Sequence, residues 1–104
     1  MPNQPAAAMR LEQTELAKAD FAEIIDHSLA EFSEAVAMEY CSAIEAVYDR
    51  LMIYPLIGRA EPDIHNNIRS ASSGSHRIYY SIDDDLITVR RIRHKSTDAR
   101  NWMG

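Results

Sequence analysis

Cysteine is almost missing from this chain. The single thiol, Cys41, has no second one to pair with, so no internal disulfide holds the fold, and the usage is that of a reducing compartment. Long apolar runs are missing too: none approaches the ~20 residues that a membrane-crossing helix requires. The N-terminus lacks the basic-then-apolar pattern of a secretory signal, and these absences together point to a soluble, cytoplasmic protein without a membrane partner. Glycine is scarce and dispersed, which excludes a glycine-rich phosphate loop. No His/Cys/Asp set has ligand spacing, and Asp83-Asp84-Asp85 lacks the glycine and terminal glutamate of a calcium loop, so neither metal nor cofactor is expected. That acidic triplet reads as a solvated turn.

What is present bounds the fold. With 104 residues and 46% hydrophobic content the chain can build one modest core, of marginal stability if it stands alone. A formal net charge of -5 hides an asymmetry: residues 1–58 hold 3 Lys/Arg against 10 Asp/Glu, whereas residues 59–104 hold 8 against 6. Within residues 86–104 the count is 5 to 1, a local +4. Opposed patches steer different partners to different faces. A nonspecific duplex binder would carry a basic stripe over the whole domain, which argues against that class, and no direct sequence-specific nucleic-acid binding is expected either.

Residues 1–8, MPNQPAAA, have two prolines and no periodicity and read as a disordered lead-in to a single domain over residues 9–104. Met9 to Thr14 suits a short first strand. Thr14 is a plausible N-cap, with Glu15 and Asp20 on the end that the helix dipole favours. Phe21, Ile24, Ile25, Leu29 and Phe32 then recur at helical spacing, opposite Glu23, Asp26 and Glu31. Ser33 interrupts and caps a second helix, whose stripe is Val36, Tyr40, Ile44, Val47 and Leu51, widened by Ala37, Cys41 and Tyr48. The short joint makes the helices antiparallel neighbours, and Tyr54-Pro55 ends the second.

Pro55 to Asn67 reads as a loop, Ile64 to Ala71 as a strand candidate, and Ser72-Ser73-Gly74-Ser75 as a turn. In the next strand Ile78, Tyr80 and Ile82 share one face and Arg77, Tyr79 and Ser81 the other. The final strand, Leu86 to Arg93, falters in its alternation: Val89 and Ile92 are three apart, which leaves open a β-bulge or a sheet covered on both faces. The predicted fold is α+β, an N-terminal strand followed by an antiparallel helical hairpin packed on an antiparallel β-sheet.

That last strand ends in the densest run of donors in the chain, Arg90, Arg91, Arg93, His94 and Lys95. A carboxylate-rich partner or a polyanion fits such an edge. Arg77 and Arg91, on paired strands, are placed to bridge acidic side chains of a partner, while Arg90, Arg93, Lys95 and Arg100 are expected to stay exposed. His94 either acts as a base near neutral pH or, as a strand-end histidine, bonds Asp98 and fixes the C-terminal turn. His76 serves its turn. His27, on a polar helix face, and His65, in a loop, receive no role.

AKADFAEII in the first helix, AMEYCSAIEAVYDRLMIYPLIGR across the second helix and its exit, the lone Arg69, and HRIYYSIDDDLITVRRIRHKSTDAR follow one another in an order and spacing that resemble the RelE/ParE superfamily of bacterial toxins, most closely its ParE branch of plasmid stabilisation proteins. The similarity runs from Met9 to Trp102. It implies the RelE/ParE-like α+β fold and the toxin half of a type II toxin-antitoxin module, neutralised by a ParD-like antitoxin in a hetero-oligomer. ParE-type members poison DNA gyrase, whereas RelE-type relatives cleave messenger RNA on the ribosome.

RNA cleavage needs a base for the 2′-hydroxyl, cations for the transition state and an acid for the leaving oxygen. RelE-type relatives supply several lysines and arginines and, in a typical member, a C-terminal tyrosine. This chain has two lysines, Lys18 and Lys95, and Trp102 as its C-terminal aromatic, an indole that exchanges no proton near neutral pH. The first reading is therefore a gyrase poison without chemistry of its own, with Arg69, Arg77, Arg90, Arg91, Arg93, His94, Asp98 and Trp102 as partner-binding candidates. The alternatives are a ribosome-dependent endonuclease using Arg69, His94 and Arg100, and a non-toxic remnant that only binds its antitoxin.

Overall fold

Helix α1 (Glu15–Glu31) starts where Thr14 Oγ1 accepts the Ala17 N–H at 3.0 Å, and α2 (Glu34–Ile53) where Ser33 Oγ accepts the Val36 N–H at 3.1 Å. Each cap satisfies a donor that a first turn leaves unpaired. Helix α2 stops at Tyr54, whose N–H still reaches Arg50 O at 2.7 Å, because the following Pro55 disfavours further helical geometry. The structure, a computed structural model, describes residues 9–97; the lead-in assigned to residues 1–8, and Asp98, Arg100 and Trp102, lie outside the described residues.

The buried stripe of α1 is not the one its large residues draw. Ala17, Asp20 and Ser28 are buried, and Phe21 and Ile24 pack against the core, but Leu29 and Phe32 are exposed. One residue turns a helix by about 100°. Leu29 therefore points well away from the buried Ser28 beside it, and Phe32 stands at the C-cap, past the last turn. Helix α2 matches expectation, burying Ala37, Ile44, Val47, Tyr48 and Leu51.

Five strands form one sheet in the order β1-β5-β4-β3-β2: β1 (Arg10–Gln13), β2 (Arg59–Ala60), β3 (Ile68–Ser73), β4 (His76–Asp83) and β5 (Leu86–His94). The α+β architecture is as predicted, and β2 to β5 pair antiparallel, but β1 lies parallel to β5, so the sheet is mixed. Strand β2 falls inside the segment read as loop; two residues are too few for a periodicity to show. Strand β3 starts at Ile68 rather than Ile64 and runs on to Ser73, which shortens the expected turn to Gly74-Ser75, with Gly74 at φ 58°.

The faltering alternation of β5 has its cause in a bulge. Tyr79 pairs with Arg91 but Tyr80 with Val89, leaving Arg90 as the extra residue, so Val89 and Ile92 both face the helices. There they meet Ile78, Tyr80, Ile87, Ala17, Ile44, Val47 and Leu51. On the other face Tyr79 and Ile68 are buried beside Ile64, which makes a small second core. Among the described residues no helix is long and apolar enough to cross a membrane.

Candidate functional site

One carboxylate organises the basic end of β5. Strand β1 ends opposite Val89, and from there α1 takes over the strand edge: Thr14 N–H bonds Val89 O at 3.0 Å, Thr14 Oγ1 donates to Arg90 O at 2.8 Å, and Asp20 accepts the Ile92 N–H at 2.9 Å. Asp20 also takes the Arg91 fork, Nε at 2.8 Å and Nη2 at 3.0 Å, with Arg93 Nη1 at 3.7 Å. The side chains of Asp20 and Arg91 are only 7% and 14% exposed, so this is a buried, two-pronged ion pair. It raises the Arg91 pKa, chiefly through the hydrogen bonds to Asp20. Arg91 was expected to meet a partner's acids; its fork is taken by an acid of its own chain, 71 positions away, which no local pattern could reveal. Asp20 likewise leaves the dipole role given to it.

Past the bulge Arg93 stands opposite Arg77, a cross-strand pair of like charges that is unfavourable unless one is drawn off. Asp20 draws Arg93. Arg90 is exposed as expected, yet its Nε donates to Ser81 Oγ at 3.0 Å, and with His65, Asn67, Ile68 and Ser81 it lines a cleft of about 230 Å³ on the face away from the helices. His65 thereby gains a place that the sequence did not signal.

His94 fixes the turn after β5, with Ser96 as its partner: Nδ1 accepts the Ser96 N–H at 3.1 Å and lies 2.8 Å from Ser96 Oγ. The bond to Asp98 that the sequence suggested lies outside the described residues. The neutral ring therefore carries its proton on Nε2. His76, directly across the ladder, meets the His94 ring edge-on at 5.5 Å and Tyr40 at 6.3 Å. Glu23, His27, Phe32, Tyr40, His76 and His94 line a cleft of about 500 Å³ between the helices and the end of the sheet. Burial lowers the His76 pKa, with His94 and then His27 adding to the effect, so this imidazole is neutral at pH 7. Among the described residues no group of three or more His, Cys, Asp or Glu could hold a metal ion.

Arg69 sits elsewhere. It pairs with Tyr80 on the helix side of the sheet, and its Nη1 donates to Gly58 O at 2.7 Å and Leu56 O at 3.3 Å. The Tyr80 hydroxyl accepts the Gly58 N–H at 2.9 Å and donates to Pro55 O at 2.7 Å; burial is the main cause that raises its pKa, which keeps the phenol protonated for that donation. The β4 residues opposite Arg69 and His94 are Tyr80 and His76, four positions apart. At ~3.3 Å per residue they are about 13 Å apart along the strand, so Arg69 and His94 do not converge on one scissile phosphate.

A family model described as the ParE toxin of the type II toxin-antitoxin system parDE matches residues 11–99. Curated relatives include a toxin, ParE1, of Caulobacter vibrioides, 26% identical over 88 residues, covering 85% of this chain and 91% of the relative. A Mycobacterium tuberculosis protein also named toxin ParE1 is 31% identical over 84 residues, 80% of this chain and 86% of its own. Among solved structures, a chain from the chromosomal ParDE system of P. aeruginosa superposes with a TM-score of 0.72 at 20% identity, covering 84% of this chain and 96% of that one. A chain of the M. tuberculosis RelBE2 toxin-antitoxin complex superposes with a TM-score of 0.63 at 22% identity, over 86% and 100%. At those identities the two structures speak for the fold.

Proposed function

This chain belongs to the ParE toxin family of type II toxin-antitoxin systems, and from that premise we propose that it inhibits DNA gyrase, and hence replication, as a protein poison held inactive by a ParD-like antitoxin. One observation carries the choice of a binder over a catalyst: of the residues that the cleavage reading names, the two that are described, Arg69 and His94, are occupied and apart. Arg69 is committed to two carbonyls, His94 Nδ1 to Ser96, and about 13 Å of strand separates their positions. A general base must lie within hydrogen-bond reach of its proton and next to the cations that stabilise the transition state. The basic β5 end suits a protein partner instead, and Arg77, Arg90 and Lys95 are cations there that Asp20 does not hold.

A second reading, a ribosome-dependent endonuclease, is favoured by the cleft on the open face, where an imidazole, His65, and a guanidinium, Arg90, line one concavity. The two readings part in a pair of assays. Purified protein added to a gyrase supercoiling reaction should trap cleaved DNA and leave messenger RNA intact in a translating extract. RNA cuts without trapped DNA would move the assignment to the nuclease and to His65 and Arg90. Neither product would leave a protein that only binds its antitoxin.

A further inference from the structure

Ile53, Tyr54, Leu56 and Ile57 are 67%, 60%, 66% and 50% exposed, four large apolar side chains within five residues at the exit of α2. They belong to Leu51–Gly58, eight consecutive residues without a charge. Looseness does not explain the exposure. Ile57 N–H bonds Tyr54 O at 3.1 Å, the Tyr80 hydroxyl clamps Pro55 O and the Gly58 N–H, and Arg69 holds Leu56 O and Gly58 O. Gly58 is required for this closeness: a Cβ there would lie 2.7 Å from Tyr80 Cε1, inside van der Waals contact. A fully buried tyrosine and a strand arginine thus fix the backbone so that the apolar side chains stand outward, the pre-organisation that lowers the entropy cost of binding.

We propose that this knuckle is the surface by which the free toxin docks into an apolar, carboxylate-rimmed pocket of its folded target protein. The inference rests on the toxin reading above. Shape selects the partner: a rigid outward knuckle fits a concavity in a folded protein, whereas an extended or helical peptide segment calls for a groove or a sheet edge. Charge sets the rim: among the described residues Arg69 bonds only to carbonyls and no carboxylate offsets it, while Arg50 is exposed on the last turn of α2.

The test compares Leu56→Ser/Ile57→Ser with wild type, using full-length toxin induced in cells and, separately, titrated with its antitoxin. Met38→Ser removes an equally exposed apolar side chain elsewhere on α2 and serves as the control. The double variant should melt like wild type and bind antitoxin within about twofold, yet need about tenfold more induction for half-maximal growth arrest, as loss of an anchoring cluster does. Arrest at the wild-type level of induction would overturn the proposal, as would loss of antitoxin binding, which would make the knuckle an antitoxin surface. Loss of arrest by Met38→Ser to the same degree would also overturn it. If the wild-type chain causes no arrest, the toxin reading itself fails, a result distinct from arrest by both proteins.

Discussion

Asp20 holds more of the basic edge in place than any other side chain described. Buried at 7% exposure, it receives the Arg91 fork and the Ile92 N–H, and it is 3.7 Å from Arg93. Removing one partner of such a pair leaves a buried charge uncompensated, so Asp20→Ala should cost about 3–5 kcal/mol in urea unfolding. Replacing both partners by apolar residues, Asp20→Leu with Arg91→Met, should recover much of that loss, because the ions were costly to desolvate in the first place. A loss below about 1 kcal/mol for Asp20→Ala would instead mean that the pair behaves like a solvated surface bridge. The same contact changes how arginine variants are to be interpreted. Charge reversal at Arg91 perturbs the fold before it perturbs a partner, so Arg77 and Arg90 are the cleaner probes of binding.

At the scale of elements, the readable features were those whose signal is local. Thr14 and Ser33 announce their helices because a cap bonds a donor three residues on, and Pro55 ends α2 for an equally local reason. The bulge was half legible: the spacing of Val89 and Ile92 demanded either an extra residue or a second covered face, and both occur, at Arg90 and around Tyr79. The parallel seat of β1 was not legible, since four residues carry no information about which strand they join. Nor was the histidine cleft, which three separate elements assemble from His27, His76 and His94. That cleft makes a prediction. The His76 pKa is lowered in the folded state, mainly by burial, so the unfolded chain takes up a proton first as pH falls. Stability should hold above about pH 6.5, the unperturbed histidine value, and decline below it. Asp20, Glu23 and the basic Arg93 and His94 line the adjoining cleft with His76; the two carboxylates oppose the trend, Asp20 being already paired with Arg91, and the basic groups reinforce it. Unfolding curves of His76→Phe between pH 7 and 5 should show a shallower decline than wild type, and an unchanged slope would place the titrating group elsewhere.

The whole molecule joins an acidic first half to a basic strand end on a small core, and it keeps apolar side chains in the open. A domain of this size has only about 5–15 kcal/mol between folded and unfolded states, so a partner that recognises the fold alters its stability visibly. If the antitoxin binds folded toxin alone, mass action adds about 2.7 kcal/mol at a hundredfold excess over Kd. At ~4–8 °C per kcal/mol for a domain near this length, that is on the order of 10–20 °C in melting temperature. Because the gain grows with the logarithm of free antitoxin, the melting temperature should keep climbing past the equivalence point, as calorimetry or fluorescence can follow. The salt dependence of the climb then locates the contact. If the cations at the β5 end carry it, raising ionic strength from about 0.05 to 0.5 M should shrink the gain, since exposed charges lose each other beyond a Debye length of ~10 Å at 0.1 M. A gain indifferent to salt would place the antitoxin on apolar surface instead, and a melting temperature indifferent to the antitoxin would mean that the folded toxin is not what it binds.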